Sequence, residues 1–168
     1  PPGADSAPSA DDPPIRALVE RQCDLETILD HADTVESLVR SMLRSDAIDL
    51  ARRHRAHREL YVGTSLGPVM VEGYVDLLIA TSAGLIVVDY KTDTVDTQAQ
   101  LDAKVASYGL QAATYAVALE QVTGLEVIEC RFVFSRRGDS VEASVSDLAS
   151  VKQQVIDTVT GLAGAAAG

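Results

Sequence analysis

The chain has 168 residues, 46% hydrophobic and 23% charged, a balance that suits one globular domain and excludes wholesale disorder. Its formal net charge of −11, from 25 Asp and Glu against 14 Lys and Arg, argues against an autonomous, tight nucleic-acid binder, because such binding rests on neutralised phosphates. No apolar run reaches the roughly 18 residues of a membrane span, residues 1–14 lack the apolar stretch of a signal peptide, and Cys23 and Cys130 are too far apart for a zinc-finger spacing or a disulfide framework. A reduced, cytoplasmic setting with no membrane partner is the expectation.

Residues 1–14 hold five of the six prolines among small and acidic residues and read as a flexible linker or frayed end. The domain proper is expected over 15–162. Residues 15–56 carry helical periodicity: Leu18, Leu25, Ile28 and Leu29 mark a first helix, and Val35, Leu38, Val39, Met42 and Leu43 a second. The break falls near His31–Asp33, with Asp33 or Thr34 as a cap. Leu60–Val62, Val69–Ile79 and Leu85–Tyr90 are rich in β-branched and aromatic residues, and turn residues separate them, which predicts a three-stranded meander. Residues 97–122 return to helix, with Leu101, Val105, Tyr108, Ala112, Tyr115 and Leu119 on one stripe and Gly124 ending it. Leu125–Ser135 and Val141–Val145 read as strands. Ser146–Leu162 reads as a last helix with Asp147 in its first turn, and 163–168 as a featureless tail.

The chemistry concentrates in residues 72–93. Asp89 and Lys91 are two apart on a predicted strand, so both side chains leave the same face. Asp89 follows an apolar run, Leu85 to Val88, that should be buried, and a carboxylate there needs a partner or a metal. Asp76 lies in the preceding strand, and a short turn makes the two strands antiparallel neighbours, which brings it close to Asp89. Two carboxylates held together repel unless a proton or a cation lies between them, and hard oxygen ligands suit Mg²⁺ or Mn²⁺. The bland alternative is a plain Asp89–Lys91 ion pair at a strand end.

These residues form a pattern. Gly73-x-x-Asp76 followed by Asp89-Tyr90-Lys91-Thr92 resembles the PD-(D/E)xK nuclease superfamily in its RecB/AddA-type helicase–nuclease branch. Tyr108-x-x-Gln111-x-x-x-Tyr115 is similar to that branch's helical Q-x-x-x-Y motif, and Arg58-Glu59-Leu60 to its acidic position at the start of the meander. The resemblance covers about residues 58–135. It implies an α/β, restriction-endonuclease-like fold, a mixed β-sheet of four to five strands flanked by helices. It also implies metal-dependent hydrolysis of DNA phosphodiesters, as the nuclease module of a helicase–nuclease that processes DNA ends in repair and recombination.

By the same resemblance Asp76, Asp89 and the backbone carbonyl of Tyr90 would hold Mg²⁺ or Mn²⁺, Lys91 would be the catalytic lysine, Glu59 an accessory acid and Gln111 a wall of the site. Tyr115 would contact the DNA or pack in the core, and Glu59 has a solvated strand charge as its alternative. Arg52, Arg53 and Arg55, in the basic run up to Arg58, read equally as a DNA-backbone patch or a solvated helix end. The branch's Gly-x-x-x-His ligand has no counterpart: His31 lacks the glycine, and His54 and His57 lie too close to the first strand. Two cysteines cannot supply an iron–sulfur cluster, so none is expected. Implied partners are DNA, single-stranded and delivered by motor domains, helicase domains of the same polypeptide, and a second subunit. The rival readings are a degenerate, inactive nuclease fold with a structural or DNA-guiding role, and a stand-alone single-strand exonuclease.

The Pro-rich, Met-less start fits a segment tethered to motor domains that raise the strand's local concentration. With its charge of −11, this chain alone should therefore cut single-stranded DNA poorly at low salt and millimolar Mn²⁺. Turnover equal to that of a motor-linked form would overturn the expectation.

Overall fold

The computed structural model describes residues 15–166, so the linker expected over 1–14 lies outside the described residues. Three helices, rather than two, lead the chain: α1 (Ile15–Leu25), α2 (Ala32–Leu43) after a single 3-10 turn (Leu29–His31), and α3 (Asp46–Arg53). Ser45 starts α3. Its backbone is extended and its Oγ accepts from the Ile48 N–H at 3.3 Å, while Asp46 and Asp49 in the first turn and Arg52 and Arg53 in the last complement the helix dipole. The apolar face of α1 also differs from the expected one. Ile15, Val19 and Cys23 are buried against Ala32, Val35, Val39 and Leu43. Leu18 and Leu25 lie on another strip of α1 and stay exposed, and Ile28 and Leu29 are exposed after α1 ends at Leu25 and Thr27 turns the backbone to φ 58°. Asp33 does not cap α2. His31 takes that position without a side-chain bond, and Asp33 accepts from the Arg16 guanidinium, which also holds Glu20 and Glu36.

Five strands follow in one mixed sheet of order β1-β2-β3-β4-β5: β1 (Arg55–Leu66), β2 (Val69–Ala80), β3 (Leu85–Lys91), β4 (Val127–Ser135) and β5 (Ser140–Ser144). β1 begins five residues before the expected Leu60. Arg55, His57 and Arg58 thus lie on an edge strand, and only Arg52 and Arg53 end a helix. The β1–β2, β2–β3 and β4–β5 pairs are antiparallel, the first joined through Gly67 at φ 56°. β3 and β4 are parallel, which demands a crossover. The 26-residue α4 (Gln98–Thr123) supplies it.

β3 is apolar from Leu85 to Val88 because both its faces are covered there. Leu85 and Val87 join Phe132, Phe134, Ala112 and Leu119 in the core under α4. Ile86 and Val88 join Val133 and the α3 residues Ala47, Ile48 and Ala51 on the other side. The layers are therefore α3, sheet, then α4 with α5 (Leu148–Ala166). Asp147 precedes α5 rather than entering its first turn. It has φ 49° and its Oδ1 accepts from the Ser150 N–H. Residues 163–166, expected as tail, continue α5, and 167–168 lie outside the described residues. No helix among the described residues is long and apolar enough to cross a membrane.

α4 is fixed at both ends. Thr97 and Gln100 form a reciprocal capping box, with Thr97 Oγ1 accepting from the Gln100 N–H at 3.2 Å, and Gly124 closes the helix at φ 69°. Thr97→Ala should lower stability by about 1 kcal/mol in urea unfolding, the usual loss for a removed cap. A change below about 0.3 kcal/mol would mean that Gln100 alone holds the helix start.

Candidate active site

The ladder between β2 and β3 runs from Ala80↔Leu85 to Leu77↔Val88 and stops there. Asp76 and Asp89, next in register, form no backbone pair. Instead the Tyr90 N–H donates to Asp76 Oδ2 at 2.8 Å, so a side chain takes over where the ladder opens. The pleat of β2 changes at the same place. Leu77 and Ile79 face the α3 side, whereas Val75, like Leu78, packs on the α4 side. On β1, Arg58 pairs with Leu77 and Leu60 with Val75, and Glu59 between them adopts φ 48°. Both strands therefore bend at the level of Asp76.

Period two carries Asp89 and Lys91 to the α4 side with Val87. Lys91 Nζ lies 2.7 Å from Asp89 Oδ2, and both side chains are largely covered, at 17% and 29% exposure. Burial pushes the Asp89 carboxyl above its ordinary range; Lys91 opposes this, and the like charge of Asp76 adds to it. The ammonium also stands 4.3 Å from the centroid of the Tyr108 ring and 5.9 Å from that of Phe132. The Tyr108 hydroxyl donates to Asp93 at 2.9 Å, and Asp93 accepts from Lys104 at 2.5 Å.

α4 delivers Lys104, Tyr108, Gln111 and Tyr115 at helical spacing along one stripe. The resulting cleft of about 190 Å³ is lined by Asp76, Asp89, Lys91, Gln111, Tyr115 and Tyr74, among others. Gly73 explains its own place in the motif. A Cβ on it would lie 2.1 Å from the Tyr115 hydroxyl oxygen and 2.9 Å from the ring, so only a bare backbone admits that tyrosine.

The structure thus gathers Asp76, Asp89, Lys91, Gln111 and Tyr115. Tyr90 contributes its backbone, while its ring packs on the α3 side and its phenol is pushed up to about 12, chiefly by burial. Glu59 is exposed and does not line the cleft. Arg52, Arg53 and Arg55 do not line it either, and Arg52 is bonded to Asp49 and to the Leu43 carbonyl. His31, His54 and His57 are likewise outside it, and no group of three or more His, Cys, Asp or Glu side chains suited to a metal occurs among the described residues. Sequence reasoning missed Asp93 and Lys104. Their only signal is spacing: Asp93 lies two residues past Lys91, and Lys104 one turn before Tyr108.

A family model described as the PD-(D/E)XK nuclease superfamily matches residues 5–166. The chain is 30% identical over 154 residues to an ATP-dependent helicase/nuclease subunit of Geobacillus thermodenitrificans, covering 77% of this chain and 12% of that protein. Against the protein of the same name from Levilactobacillus brevis it is 43% identical over 63 residues, 36% of this chain and 5% of the other. The chain therefore spans a small fraction of these relatives' length. A crystal structure of a candidate exonuclease from Eubacterium rectale shares the fold, with a TM-score of 0.50 at 15% identity over 89% of this chain and 65% of that one.

Gly73 is not at positive φ, so its requirement is steric and separable. Gly73→Ala should destabilise by about 1–3 kcal/mol, as overpacking does. In a Tyr115→Leu background the same change should be neutral or stabilise by about 0.5–1 kcal/mol, since alanine suits a strand better than glycine. Equal effects in both backgrounds, by urea unfolding, would refute the contact.

Proposed function

Since the chain belongs to the PD-(D/E)XK nuclease superfamily, we propose that it is the nuclease module of a helicase–nuclease, hydrolysing DNA phosphodiester bonds with Mg²⁺ or Mn²⁺ held at Asp76 and Asp89. The observation that carries this reading is the meeting of Asp76, Asp89 and Lys91 in one cleft where the ladder opens. The donor set fits such an ion. Two half-buried carboxylates lining one cleft, with the like charge of Asp76 pushing Asp89 upward, call for a proton or a cation between them. Mg²⁺ is commonly bound through one or two carboxylates plus substrate phosphates, so the pair Asp76 and Asp89 is a sufficient donor set.

Asp76 and Asp89 would hold the ion, with the Tyr90 carbonyl as a third protein donor. When bound, it supplies Lewis acidity toward the phosphate and a bound water of lowered pKa. The chain's own residues do the rest. Lys91 holds a positive charge at the cleft, where it stabilises charge gathering on the phosphate oxygens. Gln111 offers a neutral donor and acceptor from the opposite wall to orient a phosphate or a water. Tyr115, seated over Gly73, keeps that wall at a fixed distance from β2. Glu59, exposed and outside the cleft, suits its alternative as a solvated strand charge, and Arg53 and Arg55, at the end of α3 and the start of β1, are left as a DNA-backbone contact outside the cleft.

The substrate fits a single strand delivered by helicase domains, because a chain of net charge −11 needs neighbours to grip DNA. The name that the relatives carry, helicase/nuclease, agrees with that arrangement, and DNA end processing in repair and recombination, in the cytoplasm, is the role it suits. The alternative of a silent nuclease fold draws no support from the cleft, since both acids and the lysine are in place.

Asp89→Ala and Asp76→Ala should each abolish Mn²⁺-dependent cleavage of a single-stranded oligonucleotide with the fold intact by circular dichroism. Lys91→Ala should lower kcat by about 100- to 1,000-fold, the usual loss for a group stabilising transition-state charge. Calorimetry should find its Mn²⁺ affinity undiminished, because an ammonium is no ligand. Wild-type cleavage by either Asp variant would refute the site.

A further inference from the structure

We propose that Tyr108 is a positioning residue for Lys91: its ring is the seat of the ammonium, and Asp93 with Lys104 holds that ring in place. The inference rests on the nuclease reading of Lys91. Four contacts form a continuous chain. Lys104 bonds Asp93 at 2.5 Å, Asp93 accepts the Tyr108 hydroxyl at 2.9 Å, the Tyr108 ring lies 4.3 Å from Lys91 Nζ, and Lys91 bonds Asp89 at 2.7 Å. The ring distance is well inside the roughly 6 Å reach of a cation–π contact, and the contact is stronger for a shielded ammonium such as this one.

The chemistry gives the ring a task that Asp89 cannot perform. Lys91 ends β3 on a flexible stem, and its one ionic partner in the cleft is Asp89. If Asp89 shares its charge with a divalent cation, its hold on the ammonium weakens. An aromatic face attracts the ammonium without offering a carboxylate oxygen to the cation. It therefore keeps Lys91 at the cleft without drawing the cation away from Asp76 and Asp89. The ring must itself stay put, and here Asp93 acts. Lys104 matches the Asp93 charge, so Asp93 anchors the phenol instead of pulling Lys91 out of the site. Lys104 and Tyr108 are one turn apart on α4, whose capping box fixes their height against β3.

Two readouts test this, one without metal or turnover. The chain has only three lysines, Lys91, Lys104 and Lys152. In protein carrying ¹³C-lysine, without metal, the ε-methylene signal of Lys91, assigned with Lys91→Ala, should be shifted upfield by the Tyr108 ring current. Tyr108→Phe and Asp93→Ala, which both remove the bond that seats the ring, should each reduce the shift in part, and Tyr108→Leu should remove it. In Mn²⁺-dependent cleavage, Tyr108→Leu should lower kcat by roughly 3- to 30-fold, the range a cation–π contact spans. KM should change less than about twofold, and Tyr108→Phe should restore most of the rate. An unshifted Lys91 signal in the wild type, or a Tyr108→Leu variant at full kcat beside an inactive Lys91→Ala, would overturn the proposal. Full activity in Lys91→Ala would instead overturn the nuclease reading, with the ring-current result left standing.

Discussion

Everything at the cleft depends on a backbone ladder that stops one pair early. Past Leu77↔Val88 the two strands would set Asp76 directly across from Asp89. Ordinary pairing would bury two like charges side by side, which destabilises a sheet. The chain bends β2 at Asp76 and β1 at Glu59, and lets Asp76 accept the Tyr90 N–H that the ladder leaves behind. That bond satisfies a half-buried donor and anchors one carboxylate. The second carboxylate is balanced by Lys91 rather than by solvent. The acids stay close because the strands carrying them are buried hard on both faces just before the opening, by Val88 and Ile79 on one side and Val87 and Leu78 on the other.

The opposite wall depends on a helix that cannot slide. A shift of one residue along α4 would rotate its stripe by about 100° and carry Tyr108 away from Lys91 and Tyr115 away from Gly73. Three features prevent it. The capping box sets the start and Gly124 sets the end. Small residues, Ala112, Ala113, Ala116 and Ala118, let the helix sit close to the sheet between them. Tyr115 then fills the space that Gly73 leaves, a steric lock between β2 and α4 three residues from the first acid. The glycine and the tyrosine of two distant motifs are in this way a single contact.

How much of this could be read from the chain follows from what each signal depends on. Asp76, Asp89 and Lys91 were legible because the strand period and one short turn fix their faces and neighbours. Gln111 and Tyr115 were legible because the helix period fixes their stripe. The third helix was not, because the apolar period of α2 continues to Leu50 and hides the cap at Ser45. The buried face of α1 was misread for a related reason. Two apolar strips share that helix, and which one is covered depends on where α2 lies, a tertiary fact. The early start of β1 was masked by arginines and histidines, which suit an edge strand as well as a helix end. Asp93 and Lys104 meet only because the crossover returns α4 over the end of β3, so local spacing says little about them.

Charge joins these pieces into one design. An acidic chain with an acidic cleft repels a phosphate backbone at long range, and the local cations do little to reverse it. Arg16, Arg131 and Lys152 are committed to Glu and Asp partners elsewhere in the fold. Of the two lysines beside the cleft, Lys104 is matched by Asp93, which leaves Lys91 as the positive charge facing the paired acids. Counted as Asp76, Asp89 and Lys91, the centre carries one net negative charge before any ion binds and one net positive charge after a divalent ion does. On the proposed reading, then, the cation reverses the sign of the centre as well as activating water. In that proposal the cleft would attract a phosphate only once loaded, and most of the grip along the strand would fall to neighbouring domains. Under the proposed function, that division would let a nuclease module tolerate a strongly acidic surface, because charge that hinders a free-standing enzyme does little harm when the substrate is threaded to it.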